Sequence, residues 1–336
     1  MKTFVKIFLF VVVCLVGVYF AGPKIQKASY ETTLPKIVNI NSLEEYVAAQ
    51  ESKHKIKSGN QAEIVWVDSL HQQTEYAVVY LHGFSASKEE GNPVHRNFAK
   101  AIKANLYLAR LADHGIDTVA PMQYFTADKI WETAKEALAI GKILGKKVIL
   151  VGTSTGGTLA LQLAATYPEV HSLVLLSPNI EINDNKVWLL NNPWGLQIAR
   201  AVTGGNERIV EGKTPIYKKY WYTNYRLESV VQLQELLESS MTKATFEKVK
   251  QPTLLLYYYK NEKEQDPVVK VSAMLEMFDE LGTPTAQKEK HALPNTGNHV
   301  IGSYITSKDL PSVEKAMKEF AKKHIGDKFL AKELIH

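Results

Sequence analysis

One stretch of this chain joins residue types and spacing that prescribe a chemistry. Val148-Ile-Leu-Val151 runs into Gly152-Thr-Ser154-Thr-Gly156-Gly157, after which helical periodicity begins. This is G-x-S-x-G between a buried-strand pattern and a helix. A sharp turn there holds the serine in a strained conformation, and side chains at 152 or 156 would collide with neighbouring backbone. The hydroxyl is presented at the carboxyl edge of a strand, beside a helix N-terminus that favours negative charge. A capping serine in a glycine-rich turn is the plainer alternative; the strand–turn–helix context favours a nucleophile. No G-x-x-x-x-G-K-[ST] occurs, and no G-x-G-x-x-G follows a strand, so phosphate and dinucleotide loops are excluded.

A serine that transfers acyl groups needs two backbone donors aimed at the developing oxyanion. One is expected from Thr155, directly after the nucleophile. The other is expected from His82-Gly-Phe84-Ser85, which follows the apolar run Ala77–Leu81, with the Phe84 amide as donor and Gly83 letting the backbone approach. The order serine, carboxylate, histidine places the carboxylate after the strand at Thr253–Tyr259 and the base after the last strand. Asp266, in Asp266-Pro-Val-Val269, fits the first, with Glu262 and Glu264 as rivals in the same loop. Asp266 followed by Pro267 also reads as a helix N-cap, a role compatible with catalysis. His299, on the Gly297-containing loop, fits the second; His291 is the runner-up, and His82 reads as a loop-shaping residue. His299 then takes the proton from Ser154, while Asp266 holds its tautomer and stabilises the imidazolium. Leu293-Pro-Asn-Thr-Gly297 matches the L-P-x-T-G sorting signal, but a charged segment follows it rather than an apolar one. No H-E-x-x-H is present, and neither a metal nor a cofactor is expected.

These residues need a frame. Strand patterns at Glu63–Val67, Ala77–Leu81, Asn105–Leu108, Lys147–Val151, Ser172–Leu176, Thr253–Tyr259 and Gln287–Leu293 alternate with helical patterns. The helical patterns lie at Ser42–Gln50, Val94–Ala104, Thr126–Leu144, Thr158–Thr166, Val268–Leu281 and Ser312–Lys323. Such alternation predicts an α/β fold, a mostly parallel sheet with helices on both faces. Residues 185–250 break the rhythm with a helical, aromatic insertion that reads as a cap between two strands.

The 336 residues, 45% hydrophobic and 22% charged, carry a net charge of +5 and one cysteine, Cys14. Disorder and a disulfide scaffold are excluded. Residues 1–30 hold four lysines and no acid, +4 in all. Residues 185–250 carry another +4, leaving −3 for the rest. The basic balance therefore marks two places, not a nucleic-acid footprint. Between Lys6 and Lys24 lies the uncharged stretch Ile7 to Ala21. As a helix it is about 23 Å long, short of the roughly 30 Å hydrocarbon core, with lysines at both ends able to snorkel. It is read as an uncleaved membrane anchor or signal segment over 1–30, with the domain 31–336 exported; a secreted protein is the alternative.

Leu81-His-Gly-Phe84, Arg110-Leu111 with His114-Gly115, the 152–156 turn, Asp266-Pro-Val-Val269 and Gly297-Asn-His299 together resemble the α/β-hydrolase superfamily over roughly residues 60–325. Within it the chain is most similar to the monoacylglycerol lipase, carboxylesterase and serine-aminopeptidase-like branch. The segment that usually reads L-P-G-H-G in this branch is here Leu111-Ala-Asp-His-Gly115. The resemblance implies the α/β-hydrolase fold and a cofactor-free serine hydrolase with a helical cap. Cap aromatics such as Trp188, Trp194, Tyr220 and Trp221 suit an acyl chain or another apolar group, and about half of them are expected to be the cap's own core. The basic, aromatic cap is expected to face an anionic membrane surface. The leading expectation is hydrolysis of a small carboxylic ester such as a monoacylglycerol. A proline-iminopeptidase-like activity is the alternative, with Glu207, Glu211 or Glu228 holding a substrate ammonium. An inactive lipid- or partner-binding scaffold is the third reading.

Overall fold

The computed structural model describes residues 2–37 and 39–326. The expected domain 31–336 runs on into residues 327–336, which lie outside the described residues. Nine strands form. Seven build one sheet: β1 (Glu63–Val65), β2 (Thr74–Leu81), β3 (Asn105–Leu108), β4 (Gly145–Thr153), β5 (Ser172–Leu176), β8 (Thr253–Tyr257) and β9 (Lys288–Ala292). Their spatial order is β1-β3-β2-β4-β5-β8-β9. Only the β1–β3 pairing is antiparallel; the remaining pairs are parallel.

The unbroken apolar runs of the central strands follow from burial on both faces. Along β2, Ala77, Val79 and Leu81 enter one core and Tyr76, Val78 and Tyr80 the other, the period-two alternation of a strand. In β4, Val148 and Leu150 point to the first core, Ile149 and Val151 to the second. The second face is covered by α3 (Val94–Ala101) and α11 (Leu310–His324), through Phe98, Met317 and Phe320. The first is covered by α4 (Ala127–Leu144), α5 (Thr155–Thr166) and α10 (Val271–Glu280), through Trp131, Leu159 and Met274. A short α2 (Leu43–Glu51) packs Leu43 and Val47 at the edge of that core.

Between β5 and β8 the chain forms α6 (Gly195–Thr203), β6 (Glu207–Ile209), α7 (Pro215–Tyr220), β7 (Asn224–Arg226), α8 (Leu227–Ser240) and α9 (Lys243–Phe246). β6 and β7 pair with each other and not with the main sheet. Most boundaries differ from the sequence reading by a few residues, and two of the differences have a visible cause. α10 starts at Val271, not Val268, because Val269 first makes a bridge to Ile182. The N-terminal helix α1 (Lys2–Phe20) is longer than the apolar stretch Ile7 to Ala21, since a helix carries Lys6 without interruption.

β4 and α5 meet at a place without room. A Cβ at Gly156 would overlap the carbonyl oxygen of Leu81 on the neighbouring strand, and one at Gly152 would overlap the Gly156 carbonyl. Both obstacles are backbone and cannot rotate away. Gly156→Ala is therefore expected to cost at least about 3 kcal/mol in a denaturant titration. Gly205→Ala, at a site with open space, is expected to stay within about 0.5 kcal/mol of the parent. Equal stabilities would contradict the close approach.

Candidate active site

Ser154 is the N-cap of α5, with φ 53° and ψ −120°. That conformation costs a non-glycine residue about 1–3 kcal/mol and persists only where the surroundings enforce it. Here they do. The Ser154 N–H donates to Leu176 O at 3.0 Å, and its carbonyl accepts from Gly157 at 2.8 Å and Asn179 at 2.9 Å. Beneath it, the Tyr80 hydroxyl is bonded to Thr153 Oγ1 at 3.0 Å.

Two amides near this turn are unspent. Thr155 is the first residue of α5 and so has no acceptor within the helix. In the loop after β2, the Gly83 N–H donates to the Glu90 carboxyl and the Ser85 N–H to His114 Nε2 at 3.0 Å. The Phe84 N–H between them has no protein acceptor among the described residues. Two buried histidines hold this loop. His82 Nδ1 bonds Gly83 O at 2.8 Å while its Nε2 accepts from the Leu111 N–H at 3.1 Å. His114 Nδ1 bonds Ala112 O at 2.7 Å. Each ring uses one nitrogen as donor and one as acceptor, so each is neutral. Burial agrees, pushing His82 down to about 4 and His114 well below its ordinary value. His82 thus lies in the loop-shaping position, and Asp113-His114 of the divergent segment shares that task.

After β8, the Asp266 carboxylate divides its two oxygens. Oδ1 accepts from the Val268 and Val269 N–H groups at 2.8 and 3.1 Å, and Oδ2 bonds His299 Nδ1 at 2.6 Å. One side chain therefore caps the turn before α10 and orients the imidazole. Burial opposes charging His299, but Asp266, with a smaller pull from Glu90, holds its pKa above the ordinary value. The rivals have other partners and no hydrogen bond to His299 among the described residues. Glu262 accepts from the Tyr259 hydroxyl and Glu264 pairs with Lys260, both carboxylates lying in an exposed turn; His291 is exposed beside Glu289. Ser154 and His299 are 6% and 7% exposed, and no hydrogen bond joins them among the described residues.

The four cap aromatics separate. Trp221, 2% exposed, stacks on Tyr217 at 4.5 Å and packs with Tyr220 against Ala86 and Val300, the latter adjacent to His299. Trp188 lines a groove of about 480 Å³ with Ile180, Met241 and Phe246, which contains neither Ser154 nor His299. Trp194 turns to the foot of α1: its Nε1 donates to Val18 O at 3.0 Å, its backbone N–H to Pro23 O at 3.1 Å, and its ring covers Gly22. Reading an aromatic-rich segment cannot separate these faces. The sequence reading also passed over Glu90. It is 2% exposed, and its carboxyl oxygens lie 2.8 and 3.0 Å from where a Cβ on Gly83 would stand, with Ser154 Cβ 2.9 Å from the same point.

Residues 76–215 match the family model of the α/β hydrolase fold. The chain is 26% identical over 256 residues to a thermostable monoacylglycerol lipase of Bacillus sp. (strain H-257), covering 74% of this chain and 91% of that protein. A structure from work on LipS and LipT, two metagenome-derived lipolytic enzymes, aligns with a TM-score of 0.65 at 19% identity, over 80% of this chain and 100% of that one. Est1E from Butyrivibrio proteoclasticus with ferulic acid bound aligns at 0.51 and 15% identity, over 79% and 95%. The chain has the α/β-hydrolase fold, with a mostly parallel central sheet.

Asp266→Asn removes the charge that raises His299 and the acceptor that fixes its tautomer. If His299 is the base, kcat is expected to fall by about 10³–10⁴. The acid limb of the pH–rate profile is expected to move to lower pH, because the imidazolium then loses its proton more readily. A full-rate variant with an unmoved limb would assign the partner elsewhere.

Proposed function

We propose that this chain is a serine hydrolase of small carboxylic esters, of the monoacylglycerol lipase or carboxylesterase kind. The observation that carries the reading is the serine held at φ 53° at the N-cap of α5, beside the Gly83–Phe84 loop whose Phe84 amide is free among the described residues. Ser154 Oγ attacks the ester carbonyl as its proton passes to His299 Nε2. Asp266 stabilises the imidazolium, and the Phe84 and Thr155 amides receive the oxyanion. Collapse of the tetrahedral intermediate releases the alcohol, which takes the proton from His299. Water activated by the same ring then attacks the acyl-enzyme, releasing the acid and Ser154. No metal or cofactor enters these steps.

The similarity to a monoacylglycerol lipase supports the ester class. An aminopeptidase needs a carboxylate for the substrate ammonium. Glu228 is paired with both Arg200 and Arg226, Glu207 accepts from Asn224, and Glu211 is exposed. The nearly covered serine also requires the cap segment over it to shift before a substrate enters.

In the same proposal, α1 anchors the protein to a membrane and the body lies on the exported side. Thr3–Phe20 has a mean hydropathy of 2.5 and is wholly exposed. The 19 residues of α1 span about 28 Å, close to a hydrocarbon core. The bonds from Trp194 to Val18 and Pro23 join the foot of this helix to the cap. The cap's exposed Ile198, Val202, Ile209 and Ile216, with its excess of basic residues, then lie beside the lipid surface.

Two assays test this. With p-nitrophenyl esters of graded chain length beside aminoacyl arylamides, the esters are expected to be cleaved and the arylamides not; the reverse preference would replace the ester reading. Protein lacking residues 1–21 is expected to bind anionic vesicles more tightly than neutral ones. Equal binding would remove the cap from the membrane surface.

A further inference from the structure

Glu90 has no part in the scheme above, yet it lies in the middle of it. Its carboxyl accepts the Gly83 N–H, one residue before the Phe84 amide. The Trp221 indole lies against it from the cap, and His299 is within electrostatic reach. It has no cationic partner among the described salt bridges. Its neighbours in sequence are committed elsewhere, Lys88 to Glu63 at 2.7 Å and Glu89 to Asn92 at 2.7 Å. We infer that Glu90 is a positioning residue that holds the oxyanion loop through Gly83, and that acyl transfer proceeds only while this carboxyl carries its proton. The inference rests on the serine-hydrolase reading.

The argument is one of like charges. A carboxylate bonded to Gly83 sits beside the place where the tetrahedral intermediate places its negative charge, in a site shut from water. Charge on both is opposed there. A neutral carboxyl still accepts the Gly83 N–H through its carbonyl oxygen, so the loop keeps its shape while the repulsion disappears. Removal from water, the main cause, pushes Glu90 up to about 7, so both forms are populated near neutrality. The titratable groups around it do not change charge there, apart from His299. Tyr80 on β2 and Tyr217 on α7 are held protonated by burial. His82 stays neutral, and His95 on α3, bonded to Lys88 O, is held down to about 3 by burial. Lys88 and Glu89 keep the partners already named.

The test is kcat/KM for p-nitrophenyl butyrate against pH, using the full chain. The wild type is expected to give a bell, with an acid limb from His299 and an alkaline limb falling about tenfold per pH unit. Glu90→Gln keeps an acceptor for Gly83 and cannot ionise, so its profile is expected to rise to a plateau with no alkaline limb. An alkaline limb that persists in folded Glu90→Gln overturns the inference, as does a wild type without one. Should the variant not fold, the carboxyl carbon resonances of glutamate-labelled wild type decide. One glutamate titrating near neutrality supports the assignment, and none doing so overturns it. Ser154→Ala separates the two levels: hydrolysis at the wild-type rate removes the serine reading itself. An inactive Ser154→Ala beside an unchanged Glu90→Gln profile removes Glu90 alone.

Discussion

The close approach of α5 to the end of β2 is the constraint on which the rest of this molecule depends. Because the Gly156 backbone lies against Leu81, the turn between β4 and α5 has no room to relax, and Ser154 is left at φ 53°. The sheet supplies what keeps it there: the Leu176 carbonyl at the end of β5 and the Asn179 amide just beyond it. The same approach sets the loop after β2 next to the serine, so two strand ends and one helix N-terminus converge on one point. Topology does the remainder. The carboxyl ends of β8 and β9 lie on the same edge, and Asp266 and His299 meet across it.

Much of this is legible in the sequence, for identifiable reasons. The glycines at 152 and 156 report a backbone contact that no other residue tolerates. Strands buried on both faces write themselves as unbroken apolar runs, so β2, β4, β5 and β8 are found within a few residues. Chain order alone locates Asp266 and His299, since their separation in sequence is bridged by a regular sheet. What escapes is whatever depends on which way a segment turns. Lys88-Glu89-Glu90 carries no pattern that marks it in the sequence, but the turn folds inward and buries Glu90 against Gly83. Trp188, Trp194, Tyr220 and Trp221 look alike in a list of aromatics and end on three different surfaces. The start of α10 is displaced because Val269 engages Ile182, a partner far away in the chain.

Trp194 joins the two basic regions of the chain, residues 1–30 and 185–250. Residues 28–34 run back along α4 and α8 after leaving α1: Ala28 N–H bonds Glu235, Trp131 Nε1 bonds Glu31 O, and Lys135 Nζ bonds Thr33 O. Together with the Trp194 bonds at the foot of α1, these contacts tie the chain after α1 to residues 185–250 and to α4. On the proposed reading, a membrane helix, a basic apolar surface and the cover of the catalytic serine form one connected unit. Substrate released from a bilayer then meets the part of the protein that must move to admit it.

On the proposed reading the strained Ser154 is the nucleophile. Treating the folded protein with a fluorophosphonate and mapping the adduct by peptide mass spectrometry tests this directly. A single phosphonylated residue, Ser154, is expected, with labelling lost in His299→Ala. An adduct on another residue, or a folded protein that takes up none, would contradict it.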